Sequence, residues 1–181
     1  GDVLLPPSVR ILEAGALMGS HITSNTLNDS LEVMESGCLT GNQITSLYIP
    51  ASVKSINNPL GDGYNGFNGF ITSIVVDPNN PYYDSRNNCN AIIESSTGNM
   101  IAVCRNTTVP EGIISLDTWL FGGFSLDTLV LPSTLMRMNC GNYDPVHIKH
   151  LVINSPSMVL YLRNAWERCE LYIDTIHVLS D

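Results

Sequence analysis

One short phrase returns along this chain at a fixed interval. It reads Leu5-Pro6-Pro7-Ser8-Val9, Leu27-Asn28-Asp29-Ser30-Leu31, Ile49-Pro50-Ala51-Ser52-Val53, Val109-Pro110-Glu111-Gly112-Ile113, Leu131-Pro132-Ser133-Thr134-Leu135 and Ile153-Asn154-Ser155-Pro156-Ser157. Each copy sets an apolar residue before a breaker, Pro or Asn, with small or polar residues after it. The breakers stand at 6, 28, 50, 110, 132 and 154, so the steps 6→28, 28→50, 110→132 and 132→154 are all 22. A period between about 20 and 50 residues marks a solenoid, in which each coil buries its apolar side only against its neighbours. The chain therefore announces an architecture before it announces any chemistry.

Alignment on the breaker extends the pattern. Three places before it stand Val3, Asn25, Leu47, Thr107, Leu129 and Leu151, mostly apolar. The stretch apolar–x–apolar reads as a short strand with alternating faces, ended by a residue that fits poorly in a ladder. Two looser copies place Asp77 and Asp174 in the breaker slot, which makes about eight turns with steps of 22, 22, 27, 33, 22, 22 and 20. A second apolar beat follows in most turns, as in Val9 and Leu12, Val53 and Ile56, Ile113 and Leu116, Leu135 and Met138. It predicts a short extended or bent segment. Small or aromatic clusters (14–18, 119–121 and 165–169) suggest helical turns too short to stand alone. The 27-residue step holds a Gly- and Asn-rich loop at 57–69. The 33-residue step holds Ala91-Ile92-Ile93-Glu94 and Met100-Ile101-Ala102-Val103 around Ser95-Ser96-Thr97-Gly98-Asn99, a hairpin signal. The reading is one domain, 1–181, with a β-hairpin insertion near 79–106.

The copies Leu47-Tyr48-Ile49-Pro50-Ala51-Ser52-Val53-Lys54-Ser55-Ile56 and Leu129-Val130-Leu131-Pro132-Ser133 resemble the BspA-like leucine-rich repeats of bacterial surface proteins. Segments 75–85, 88–94 and 104–110 are similar to an insertion those proteins carry. The resemblance covers nearly the whole chain and is strongest from 44 to 135. It implies an α/β solenoid, a right-handed leucine-rich-repeat superhelix with one short parallel strand per turn. Such a coil is β-rich with few short helical turns and one inserted β-hairpin. It also implies an extracellular or cell-surface location on a host-associated bacterium, within a longer secreted chain, and a role in adhesion or recognition. The family defines no catalytic residues to carry over.

Composition narrows the functions. Hydrophobic residues at 44% are ample for a core, while charged residues are only 14%, so Ser, Thr and Asn carry the polar load. The net charge of −9 would repel a phosphate backbone, so no nucleic acid is expected as partner. No stretch approaches the ~18 apolar residues needed to span a bilayer, so no membrane insertion by this segment is expected. The strand-like opening Asp2-Val3-Leu4-Leu5 suggests that any targeting segment has been removed. Among five cysteines, Cys38, Cys89, Cys104, Cys140 and Cys169, none forms C-x-x-C. Burial as reduced thiols is the first reading. Cys89 and Cys104 are the candidate disulfide, because they can face each other across the hairpin.

Catalytic patterns are missing. Asp144, His147 and His150 form D-x-x-H-x-x-H, which on a helix could hold a metal. Pro145 and the strand-like His150-Leu151-Val152-Ile153 argue against a helix, leaving loop or edge histidines. Gly61-Asp62-Gly63-Tyr64-Asn65-Gly66 fits G-x-G-x-x-G but lacks the following helix, so loop closure explains it. Asp62, Asp77 and Asp84 near Asn residues could bind calcium, but EF-hand spacing is absent and turn capping accounts for them. Asn106-Thr107-Thr108 fits a glycosylation acceptor, against which a bacterial origin argues. No metal or cofactor is expected.

One surface remains. Outward strand positions include Tyr48, Val75, Thr108, Val130, Val152 and Tyr172, with His150 in the neighbouring column. In register they would make a continuous, partly apolar face of the kind solenoids use for binding. The expectation is a non-catalytic recognition module for a host or microbial protein or glycan. Two alternatives stay open. One is a structural spacer in a larger surface protein. The other is a polysaccharide-active β-helix enzyme, against which the nearly charge-free strand face argues.

Overall fold

The computed structural model of the protein describes residues 1–60, 70–162 and 169–179. Parallel strands stack coil upon coil along two sides. On the first side lie β1 (Asp2–Leu4), β3 (Ser24–Thr26), β5 (Ser46–Ile49), β7 (Ser73–Val76), β12 (Ser125–Leu131), β14 (Asn142–Ile153) and β16 (Cys169–Val178). The second side holds β2 (Ile11–Leu12), β4 (Val33–Met34), β6 (Ser55–Ile56), β11 (Ser115–Asp117), β13 (Arg137–Cys140) and β15 (Val159–Leu162). The second apolar beat of the sequence is thus a second strand. Among the described residues seven coils carry a first-side strand; of the eight expected copies, the one around Thr107–Val109 takes none. Short helical turns are few, 3-10 segments at Arg86–Asn88 and Thr118–Phe121, and the described residues contain no α-helix.

The breaker motif has a concrete geometry. Its carbonyl accepts the N–H three residues on, in Val9→Pro6, Leu31→Asn28, Val53→Pro50, Asn80→Asp77, Ile113→Pro110 and Leu135→Pro132. This closes a four-residue turn and drops the third residue after the breaker inward. Leu31, Val53, Ile113 and Leu135 are fully buried there. Coils are then stitched by side chains. Asn28 Nδ2 donates to the carbonyls of Pro6 and Val9, one coil back. Asn80 Nδ2 makes the same pair of bonds to Pro50 and Val53, while its Oδ1 accepts from Tyr82 and Tyr83 N–H. Asn80 is a buried polar residue in an otherwise apolar column, and those four bonds make that tolerable.

A third side of the coil is made of turns. Gly15 and Gly37, one period apart, have φ of +66° and +64°, and Gly19 and Gly41 have +64° and +75°. These left-handed positions favour glycine. They let the backbone run coil to coil, with Gly15 N–H donating to Ser36 O and Leu17 N–H to Cys38 O.

The hairpin lies where the sequence places it, as β9 (Ala91–Glu94) and β10 (Met100–Val103), with β8 (Tyr83–Asp84) added at its edge. It is more than a surface insertion. Ile92 and Ala102 pack into the core of the N-terminal coils, whereas Ala91, Ile93, Met100 and Val103 pack into that of the C-terminal coils. A strand buried on both faces explains the unbroken apolar run Ala91-Ile92-Ile93.

Two expectations need correction. The final copy does not put Asp174 in the breaker slot. Ile153 pairs with Val178, Leu151 with Ile176 and Val152 with His177, so the last step is 25, from 153 to 178, rather than 20. The local string Leu171-Tyr172-Ile173-Asp174 imitates the motif, but it pairs with the earlier part of β14. Second, a disulfide falls outside the candidate pair, and Cys89 and Cys104 match the first reading of reduced thiols. Both are buried free thiols, as is Cys38, whereas Cys140 is disulfide-bonded. Burial pushes the Cys38 thiol up to about 12 and raises Cys89 and Cys104 as well, so these three are inert. The loop glycines 61–66 and the cluster 165–168 lie outside the described residues.

Leu47→Ala, in the fully buried column of β5, should cost about 2–5 kcal/mol in urea unfolding, whereas Val75→Ser on the outer face should stay within about 0.5 kcal/mol. Asn80→Ala should cost roughly 1–3 kcal/mol by leaving buried carbonyls and N–H groups unpaired.

Candidate binding face

Alternation along the first-side strands sends every second side chain out. In β5 the pattern is exposed Ser46, buried Leu47, exposed Tyr48, buried Ile49. Tyr48 pairs across to Val75 of β7, and the two stand 49% and 43% exposed. The Tyr48 hydroxyl donates to Asp77 Oδ2 at 2.6 Å, and Asp77 Oδ1 accepts from Asn79 N–H. The bond from Tyr48, then that from Asn79, holds the Asp77 carboxyl below its usual range. The same bond raises the Tyr48 phenol. This fastens an exposed aromatic ring in one orientation on the sheet, which lowers the entropy lost when something packs on it.

The C-terminal sheet β12-β14-β16 presents three rows on its outer side. Val130, Val152 and His177 form one, Thr128, His150 and Thr175 the next, and Ser125, His147 and Tyr172 the third. His147 and Tyr172 stack with ring centroids 4.8 Å apart and planes 15° from parallel. Thr175 Oγ1 donates to Lys149 O, which spends its one proton. Its 2.7 Å contact with His150 Nδ1 therefore has the imidazole donating. His150 and His177 rings lie 5.9 Å apart. Three of the four histidines of the chain thus share one sheet face.

The structure sorts the predicted residues. Tyr48 and Val75 come together on β5 and β7, and Val130, His150 and Val152 on β12 and β14. Tyr172 is on the face but in the row of His147, five residues before the slot that alignment assigned it, which His177 fills. Thr108 is exposed but lies in no strand. The face is not one continuous surface: β1-β3, β5-β7 and β12-β14-β16 are separate sheets, the last two divided by the hairpin wedge. His147 and His150 are neither loop nor edge residues, because β14 is the central strand of its sheet and runs through Pro145. His147 went unrecognised because its partner in the stack is 25 residues away in an irregular coil.

The electrostatics of the face are mild. Lys149, Asp127 and Asp174 are exposed at its margin, and the described residues hold no group of three or more His, Cys, Asp or Glu arranged around a metal. No helix among them is long and apolar enough to cross a membrane. Such a surface can hold a partner by packing and hydrogen bonding.

Comparison with known proteins agrees with this architecture. The family described as BspA type Leucine rich repeat region matches in six copies, over residues 2–61. The fold is similar to a leucine rich cell surface protein of Faecalibacterium prausnitzii A2-165, with a TM-score of 0.55 and 15% identity over 99% of this chain. It is also similar to the pneumococcal vaccine antigen PcpA, with a TM-score of 0.63 and 15% identity over 98% of this chain. The chain spans 60% and 56% of the length of those two structures. No curated protein matches it in sequence.

Removing the Tyr48 hydroxyl with Tyr48→Phe should raise the Asp77 pKa toward that of a free carboxylate, read by carboxyl-detected NMR titration. By linkage, the pair's support for the fold is present above the ordinary Asp range and fades as pH falls through the lowered Asp77 value. An Asp77 titration unchanged in the variant would mean that the bond does not persist in solution.

Proposed function

We propose that this chain, whose coils at residues 2–61 match the BspA type leucine rich repeat, is a non-catalytic recognition segment of a bacterial cell-surface protein. Its repeat type and its structural neighbours support a surface repeat module. The finer reading is adhesion: a host or microbial macromolecule packs on the outer sheet face through Tyr48 and Val75 and through the histidine-rich rows around Val130, His150, Val152 and Tyr172. One observation carries it. Tyr48 and Tyr172 stand about half exposed, at 49% and 52%, yet each is held in place, one by Asp77 and the other by His147. Fixed aromatic side chains on an open face are what binding hot spots are made of. The Cys140 disulfide suits an oxidising, extracellular setting.

A second reading, that of a spacer within a longer protein, has its own observation. Ile176 and Val178 continue the buried columns of Leu151 and Leu131, yet they are 56% and 65% exposed, and Leu160 ends the column of Met138 half exposed. Solenoids cover such ends with a cap or another coil. The two readings are compatible: a coil seated on that end would leave the sheet face open.

Replacing Tyr48 and Tyr172 with Ser should abolish capture of surface partners in a pull-down while circular dichroism and thermal unfolding stay near those of the parent. Unchanged capture with an intact fold would exclude the sheet face as the binding surface.

A further inference from the structure

The second-side ladder is broken where the hairpin enters. Strands β2-β4-β6 form one sheet and β11-β13-β15 another, and no described strand pairs β6 with β11. Only part of the gap is filled. The Tyr83 hydroxyl accepts from Ile56 N–H at 2.9 Å, doing at one point what a missing strand would do. Beside it remains a groove of about 280 Å³ between β6, the tip of the hairpin and β11. It lies on a different side of the coil from Tyr48 and Tyr172.

The lining has a definite chemistry. Asn57 and Asn99 stand exposed at its lip, and Ser115 and Asp117 line it half-buried. Trp119 and Met100 supply apolar wall. No Lys, Arg or His among the described residues lines it. Asp117 Oδ1 already accepts from Asn139 Nδ2 at 2.8 Å, which fixes the carboxylate and leaves its other oxygen as an acceptor. The Trp119 Nε1 is buried with no hydrogen-bond partner. A buried donor left without a partner is unfavourable, so the fold lacks an acceptor at this point. A small turn of the indole toward the groove would offer that N–H to a bound hydroxyl.

The geometry points to a binding site for one or two rings of a neutral glycan. Amide and hydroxyl groups with a single carboxylate pair with sugar hydroxyls, which both donate and accept. The indole and Met100 cover the C–H face of a ring, as in other sites that combine apolar wall with a few placed polar groups. An anionic ligand would meet Asp117 and a chain of net charge −9 without a cation in the groove. A volume near the lower end of the usual ~300–1,000 Å³ range for ligand pockets suits a short segment rather than a long chain lying in a cleft. This site is independent of the sheet-face reading, since the two share no residue.

Tryptophan emission tests it directly, because the chain has two tryptophans, Trp119 and Trp166. In a Trp166→Phe background, titration with cello-, manno- and chito-oligosaccharides should shift or quench Trp119 emission with saturation in the micromolar to millimolar range. Asn99→Ala and Asp117→Asn should each weaken that response at least tenfold, and Tyr48→Ser with Tyr172→Ser should leave it unchanged. No saturable change with any of these neutral probes up to about 10 mM, a limit corresponding to very weak binding, would overturn the proposal. So would tighter binding of hyaluronan fragments than of the neutral oligomers, or a response insensitive to both groove substitutions.

Discussion

Everything in this molecule depends on one coil satisfying the next. A lone coil has two very short strands, a turn closed by one hydrogen bond, and an apolar interior a few side chains wide. None of these is stable by itself. Stacking supplies the missing partners at once: ladder bonds on two sides, glycine-turn bonds on the third, and continuous columns such as Leu129 on Leu151 inside. The breaker turn matters because it repeats its shape. The turns at Pro6 and Pro50 present the same pair of carbonyls to an asparagine of the next coil, and at Ile113 and Leu135 a hydroxyl of Thr134 or Ser155 takes that part. Asn28 and Asn80 reach those carbonyls from different positions in their own coils, so the constraint lies in the geometry of the turn and tolerates a change in the residue that reads it.

The hairpin is the price of regularity being interrupted. It replaces a first-side strand, separates the core into two clusters, and carries apolar side chains on both faces to seal them. It also divides what would have been one outer face, and it opens the second ladder beside Trp119. Regular coils are self-complementary and present monotonous surfaces. The places where this chain offers unusual chemistry are the places where the repeat is broken: the groove at the hairpin, and the lengthened last coil with its histidine and tyrosine stack.

Electrostatics play a local part. Glu111 shows the pattern: its carboxylate accepts from Ser133 N–H, Ser133 hydroxyl and Thr134 N–H in the next breaker turn. Those bonds, the Ser133 backbone first, hold it below the usual carboxylate range. The acidic residues at 77 and 111 are thus turn fasteners, and a cation is not needed to explain them. With few lysines and arginines, the chain gains cohesion from backbone, amide and hydroxyl bonds and reserves little charge for steering a partner.

The solenoid, its period, its inward columns and the hairpin were legible in the sequence, because a repeat places identical demands on equivalent positions. Pro6, Pro50, Pro110 and Pro132 mark the same turn each time. The second strand per coil was visible only as an apolar beat, since two-residue strands such as Ile11–Leu12 are too short to show alternation. What tertiary structure alone decided was register and pairing wherever the repeat is irregular. Leu171-Tyr172-Ile173-Asp174 satisfies the motif locally, but inter-coil pairing selects Ile176-His177-Val178 for the slot beside Leu151-Val152-Ile153. Local pattern cannot distinguish two strings of like alternation. The energy that does so comes from the neighbouring coil, and it brings His147 onto Tyr172 and leaves Cys89 and Cys104 apart.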